Sequence, residues 1–453
     1  MFRSILSDRK FYKTLVVLAL PILIQNFLAS SLNMVDTLMI GRVGEDEVAA
    51  VGVANQLFFL FNLVANGAAA GCSIFISQYW GQRDVAQIRR VVGFGLVVNT
   101  AISLLFTLAA LTVPQLLIQL FSRDERVIAL GVDYLLVVCL SYLFSGISFL
   151  LAGTLRSVGY AYQPMLVSLL AILINIVFNY LMIFGHGGFP AMGVRGAALA
   201  TLIARIVETL LLIVFSFRRR SPFAGPVREF FHFGREFIRK VVGAMLPVVV
   251  NEGCWALGTV LYTVAYGFIG DGTKAIAASQ IVNSVQNLFM IFCFSTASSA
   301  LVMIGHQIGA GDRQNAIAYS RRFTALAVLL GVVLGVVVLF AAPFILSFFK
   351  VSEEARLSAI GMLRVFSVIA PARVLNIVLI VGVFRGGGDT SFGLKVEAGT
   401  MWLIGVPMAF LGALVFRLPV EGVVALITAE EIVKCILSCI RLKQNKWVRD
   451  LTT

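Results

Sequence analysis

The stretch at residues 15–40, LVVLALPILIQNFLASSLNMVDTLMI, decides how this 453-residue chain is read. A helix rises 1.5 Å per residue, and about 20 apolar residues cross the hydrocarbon core of a bilayer. The stretch meets that length, yet it carries Pro21, Gln25, Asn26, Asn33 and Asp36. A carboxylate on a spanning helix costs roughly 2.5–3.5 kcal/mol on insertion scales, so such groups face a cavity or a bundle interior and handle ions or protons. Nearly the same helix recurs 226 residues later.

Composition points the same way. The chain is 59% hydrophobic and only 13% charged, against about 45–50% and about 25% for soluble domains. Its mean hydropathy is +0.94. The net charge of +13 comes from arginines and lysines in short loops, which is topological bias rather than a nucleic-acid surface. The first apolar run is too long, and lacks the small-residue site, for a cleavable signal peptide. Cys72, Cys139, Cys254, Cys293, Cys435 and Cys439 all lie in apolar stretches. Without zinc-type spacing to His186, His232 or His306, they read as free thiols. No G-x-x-x-x-G-K-[ST] occurs, which excludes P-loop ATP coupling.

Twelve spans are predicted, at residues 14–41, 47–77, 91–119, 127–153, 162–185, 195–217, 238–268, 275–306, 321–348, 356–384, 392–416 and 420–440. The expected fold is an all-α polytopic membrane protein, with twelve transmembrane helices in two pseudo-symmetric six-helix lobes. The lobes are residues 1–217 and 241–453, joined by a polar linker at 218–240. Basic residues cluster at Arg3, Arg9, Lys10 and Lys13, at Arg83, Arg89 and Arg90, at Arg156, at Arg218 to Arg220, at Arg313, Arg321 and Arg322, at Arg385, and in the tail from Arg441. The positive-inside rule then puts both termini in the cytoplasm.

The lobes repeat. Leu20-Pro21 matches Leu246-Pro247, and Gly41-x-x-Gly44 matches Gly267-x-x-Gly270, both at a shift of 226. Gly81-x-x-Asp84 matches Gly309-x-x-Asp312, and Phe121 matches Phe349, at 228. Arg156-x-x-Gly159 matches Arg385-x-x-Gly388 at 229, and Gly196 matches Gly422 at 226. An even number of spans per repeat gives both lobes the same orientation, related by an axis along the membrane normal with a substrate path between them.

The ordered set of landmarks resembles the MATE (multidrug and toxic-compound extrusion) transporters. It comprises Leu20-Pro21, Val35-Asp36-Thr37-Leu38-Met39-Ile40-Gly41, Gly81-Gln82-Arg83-Asp84, Arg156-Ser157-Val158-Gly159, Asn175-Ile176-Val177-Phe178-Asn179 and Gly196-Ala197-Ala198-Leu199-Ala200-Thr201. The resemblance spans the whole chain. It implies a secondary antiporter that exports amphipathic or cationic compounds as Na+ or H+ enters, with no organic cofactor and no enzymatic activity. It further implies a bacterial inner (plasma) membrane location, a lipid surround and a monomeric transport path.

By the same resemblance the coupling cation sits at Asp36, Asn175, Asn179 and Thr201, with the Ala197 carbonyl a weaker addition. Carboxylate, amide and hydroxyl oxygens suit a hard cation. One branch of the family has a second aspartate on its fifth helix where this chain has Asn179, so Na+ and H+ both stay open. Another branch places its acid on the seventh helix, where Glu252 stands. At shift 226 Glu252 aligns with Asn26, and Asp36 with Tyr262. Ten residues of helix separate the two acids by about 15 Å in depth, so they cannot share one ion.

Tyr134, Phe144, Phe289 and Met290 are expected cavity liners, and Lys395 with Glu430 an expected charge network in the second lobe. Arg205 and Glu208, three apart, read as a buried pair. Pro21 and Pro247 read as kink or gating points. A lipid-linked saccharide flippase, with more helices and a more basic cavity, is the related alternative; a channel-like or non-transport scaffold is the alternative from another class.

Overall fold

The computed structural model describes residues 8–217, 223, 225–270, 272–347 and 352–452. Arg3, Arg218, Arg219, Arg220 and Phe349 lie outside the described residues. Among the described residues all regular structure is helical, as the apolar runs predict. Twelve main helical segments follow one another among the described residues, with the short helices Pro114–Gln119 and Val227–Phe230 between them. They are α1 (Arg9–Gly41), α2 (Glu45–Gln82), α3 (Val85–Thr112), α4 (Glu125–Val138 continued by Leu140–Ser157), α5 (Tyr162–Phe184) and α6 (Val194–Phe217). Then come α7 (Arg235–Gly267), α8 (Gly272–Gly309), α9 (Arg313–Leu346), α10 (Glu353–Ile377, running into a π-helical stretch Val378–Phe384), α11 and α12. α11 starts at Thr390–Thr400 and alternates with π turns Met401–Gly405 and Leu411–Val415. α12 consists of Val420–Ile427 and Ala429–Lys443.

Twelve uniform spans do not result. Among the described residues ten helices are long and apolar enough to cross a membrane singly, and the two halves of α4, bent by 50°, make an eleventh. α12 is interrupted at Thr428 and carries Glu430, Glu431 and Lys434 on its second half, and it is not among them.

The repeat is written in the element lengths. α1 and α7 are both 33 residues, and α2 and α8 both 38. The repeated polar motifs punctuate the backbone. Asp84 caps α3 by accepting from the Gln87 amide, and Asp312 caps α9 by accepting from Asn315. Before each cap stands a left-handed residue, Arg83 (φ 62°) in one repeat and Gly311 (φ 75°) in the other. Gly159 (φ 92°) and Gly388 (φ 79°) end the Arg-x-x-Gly turns, a conformation that favours glycine. Four landmarks of the repeat are thus turn and cap chemistry.

The chain forms two compact units, Val16–Met245 and Met1–Leu15 with Leu246–Thr453. Their boundaries fall inside α1 and α7, not in the polar linker. The first turns of α1 belong with the C-terminal unit, where Phe11 is fully buried with its ring 5.1 Å from Phe323 and 4.9 Å from Tyr319 on α9. The first turns of α7 belong with the N-terminal unit, where Phe237 lies 6.1 Å from Phe94 on α3 and under the Arg90 guanidinium at 4.3 Å. α1 and α7 remain helical through Pro21 and Pro247. Each proline lacks the N–H that would bond the carbonyl four residues back.

The N-terminal core is built on Phe61, stacked on Tyr142 at 4.9 Å, with Val51, Leu57, Tyr134, Leu135, Ile183 and Ala197 around it. This packing fixes the ends of α4, α5 and α6 against α2.

At the start of α1, Asp8 accepts from the Phe11 amide at 3.0 Å and from Arg322 at 2.6 Å. The Phe11 amide, with Arg322 reinforcing it, holds the Asp8 carboxyl below its ordinary value of 3.8. A lowered folded value means stabilisation present above 3.8 and lost as pH falls through the folded value. The melting temperature of the detergent-solubilised protein should therefore exceed that of Asp8→Ala at neutral pH. That difference should shrink as the buffer is acidified below the ordinary aspartate range.

Candidate functional site

Asp36 lies one turn from the end of α1, half-buried, and its partner comes from α5. Asn179 Nδ2 donates to Asp36 Oδ1 at 2.6 Å and to Asn175 Oδ1 at 2.8 Å. Asn175 Nδ2 in turn donates to Thr201 Oγ1 on α6 at 3.4 Å. Asn175 and Asn179 are 3% and 1% exposed, as their four-residue spacing on one helix face requires. The structure thus brings together Asp36, Asn175, Asn179 and Thr201 in the N-terminal unit. Ala197 is buried one turn before Thr201. Tyr134 stands beside Thr201 and Asp36. Tyr134 is 5% exposed and sits in the core, so it buttresses this cluster rather than lining an open cavity.

One atom in the cluster is orphaned. Asn179 Oδ1 is buried and has no hydrogen-bond partner. A buried acceptor without a donor costs about 1–3 kcal/mol. With the Asp36 carboxylate and the Thr201 hydroxyl, it offers three oxygens of the kind a hard monovalent cation takes. The same carboxylate is equally able to bind a proton. Among the described residues no three of His, Cys, Asp and Glu converge on a metal site.

A second polar chain runs through the same unit. Arg205 donates to Glu208 at 2.7 Å, the pair that their spacing predicts. Glu208 also accepts from Ser168 at 3.0 Å, and Ser168 accepts from Gln25 at 2.8 Å. Arg156 donates to Gln25 at 3.1 Å. Gln25 is therefore committed to α5 and to the α4 turn and does not hold Asp36. Asn33 is exposed.

The predicted residues of the C-terminal unit are placed differently. Glu252 is not a free acid, because Arg385 donates to it at 2.7 Å from a site 7% exposed. Arg156 on Gln25 and Arg385 on Glu252 are corresponding arginines that reach the proline helix in the two repeats, one residue out of register, since Gln25 aligns with Asn251. Lys395 is exposed, and the ammonium inside the charge network is that of Lys434. Glu430 is 4% exposed. Phe289, 3% exposed, packs against Phe366 at 4.8 Å and is core. Phe144 and Met290 are half-buried. Lys434 and Tyr262 escape a reading by residue type, since each counts as an ordinary residue until its partner on another helix is known.

The MatE family model matches residues 21–181 and 247–411, one block per repeat and both containing the proline helix. The chain belongs to this family of transporters. It is a membrane-spanning transporter and not an enzyme. An uncharacterized transporter, YisQ of Bacillus subtilis, is 26% identical over 98% of this chain and 96% of its own length. A probable multidrug resistance protein, NorM of Thermotoga maritima, is 28% identical over 96% and 93%. Among solved structures, a MATE in the bent conformation superimposes with a TM-score of 0.88 at 20% identity, covering 96% of both chains. A MOP superfamily transporter from Pyrococcus furiosus gives 0.87 at 21%, again over 96% of both. At that identity the structures attest the fold.

The Arg205–Glu208 pair supplies a stability test. Arg205→Met leaves a carboxylate that is 6% exposed without its cation. Losing one partner of a buried pair costs up to about 3–5 kcal/mol. Arg205→Met should melt well below the parent in detergent, and the double variant Arg205→Met/Glu208→Gln should recover most of the loss.

Proposed function

We propose that this chain is an antiporter of a bacterial inner (plasma) membrane, with both termini cytoplasmic. It expels amphipathic or cationic organic compounds while Na+ or H+ moves inward, and it works as a monomer surrounded by lipid. The observation that supports this reading best is the Asp36–Asn179–Asn175–Thr201 chain, a carboxylate held by amides on a neighbouring helix beside an orphaned amide oxygen. The name borne by the Thermotoga relative, a probable multidrug resistance protein, supports the substrate class.

In this reading a cation taken up at Asp36 neutralises the carboxylate and supplies the Asn179 oxygen with a partner. Both effects favour the arrangement in which α1, α5 and α6 are drawn together. Loss of the cation leaves a net charge in an apolar bundle, and that unit then favours an arrangement open to water. An organic cation that binds the open arrangement more tightly competes with the coupling ion without touching it, because each ligand shifts the equilibrium only by its differential affinity. A single carboxylate with neutral amides forms a weaker Na+ site than two carboxylates would, and it suits a proton equally.

The test uses purified protein in liposomes loaded with tetraphenylphosphonium, with a sodium gradient or a pH gradient imposed separately. Whichever gradient drives efflux names the ion. Asp36→Asn should cut gradient-driven efflux at least tenfold, about 1.4 kcal/mol of coupling or more, at unchanged expression. Undiminished efflux by Asp36→Asn removes Asp36 from the mechanism.

A further inference from the structure

At shift 226 Asp36 aligns with Tyr262, so α7 has no acid at the depth where α1 has one. The C-terminal unit supplies a carboxyl to that level from a different helix. Tyr262 donates its hydroxyl to Glu430 Oε2 at 2.8 Å, across from α12. The charges beside it correspond as well. Arg205 and Glu208 on α6 align with Glu431 and Lys434 on α12, an ion pair with its signs exchanged.

Three glutamates meet on this side of α12. Lys434, 3% exposed, donates to Glu397 of α11 at 2.9 Å and lies 3.7 Å from Glu431. Glu431 also accepts from Asn376 at 2.7 Å and feels the Arg373 guanidinium of α10. Lys434 is hydrogen-bonded to Glu397 and, with Arg373, acts on Glu431; its charge reaches Glu430 as well, but without a hydrogen bond. Glu430, equally buried, has only the neutral phenol as a donor. Tyr266 of α7 stands nearby and adds no positive charge. Lys395 and Arg364 are exposed, and Glu421 lies nine residues earlier on α12. The count leaves one carboxyl in excess, and it is Glu430.

Two further features show that this place is built. Gly405 ends a π turn of α11, and a Cβ there would overlap both the Tyr262 hydroxyl and a Glu430 oxygen. The glycine keeps a niche for the pair, and π turns gather at functional sites. Next to Glu431, Asn376 Oδ1 is buried without a donor although its residue is 2% exposed. A lone carboxyl whose one hydrogen-bond donor is a neutral hydroxyl suits a proton as its ligand.

We infer that Glu430 is a second proton-exchange site, built in the C-terminal unit and independent of the Asp36 cluster. The step is a simple transfer: the O–H bond of the Glu430 acid breaks, the proton passes to a water molecule, and the carboxylate keeps the Tyr262 hydrogen bond. Reprotonation reverses it when the unit closes again, because an uncompensated carboxylate is costly inside an apolar bundle. This extends the antiport reading by a second carrier, but proton binding itself can be measured without transport.

The measurement is infrared difference spectroscopy of the purified protein between acidic and alkaline buffer, read at the carbonyl stretch of buried carboxylic acids. A titrating band should be present in the parent chain and in Asp36→Asn, and it should be lost in Glu430→Gln. Tyr262→Phe should keep the band and move its midpoint. Should Glu430→Gln not fold, Gly405→Ala retains the acid, fills its niche and should displace the band. A band absent from Asp36→Asn, insensitive to pH, or undiminished in Glu430→Gln overturns the inference. Efflux that fails to depend on Asp36 would sink the antiport reading and leave this band untouched.

Discussion

A carboxylate on a membrane helix must be compensated from inside its own bundle, and most of the polar architecture follows from that constraint. Water is absent from the hydrocarbon, so each acid recruits a partner or gives up its charge. Glu208 recruits Arg205, Ser168 and, through Ser168, Gln25. Glu252 recruits Arg385, Glu397 recruits Lys434, and Asp389 recruits Arg441 and Arg449. Asp36 and Glu430 stand apart because their nearest donors are neutral, an asparagine amide and a tyrosine hydroxyl. An acid with a neutral donor stays organised in both charge states. That property is what an ion carrier needs and what a structural ion pair lacks.

The two repeats meet the constraint with the same scaffold and different residues. α1 and α7 have equal lengths, and α2 and α8 do too. Arginine reaches back to the proline helix in each, to Gln25 in one and Glu252 in the other. The ion pair on α6 reappears on α12 with its charges exchanged, and the lone acid moves from the first helix of the repeat to the last. Duplication preserved the backbone punctuation at Asp84 and Asp312 while the charge pattern diverged.

Much of this was legible in the residues alone, for identifiable reasons. Helix length, loop position and repeat shifts depend on local chemistry, and so do the caps and glycine turns. Asn175 and Asn179 were placed together by helix geometry, and Asp36 by its depth on an apolar run. The pairings between helices were not legible. Lys395 and Lys434 look alike in sequence, and only packing tells that one is exposed and the other 3% exposed between Glu397 and Glu431. Phe289 looks like a cavity aromatic and is core. α12 reads as one span by apolar count, yet its break at Thr428 and its buried charges set it apart from the others. Gly405 carries no signal at all until the atoms that fill the place of its missing Cβ are known.

The central claim is that an organic cation and a coupling ion exclude each other through Asp36. It is tested most directly by counting ions released when saturating tetraphenylphosphonium is added to the purified protein in weakly buffered detergent solution. Protons would be followed with a pH-sensitive dye and sodium with a tracer. The account predicts that the parent chain releases about one more cation per molecule than Asp36→Asn does, as linkage between competing ligands requires. Equal release from both proteins, with the organic cation bound equally well, would contradict it.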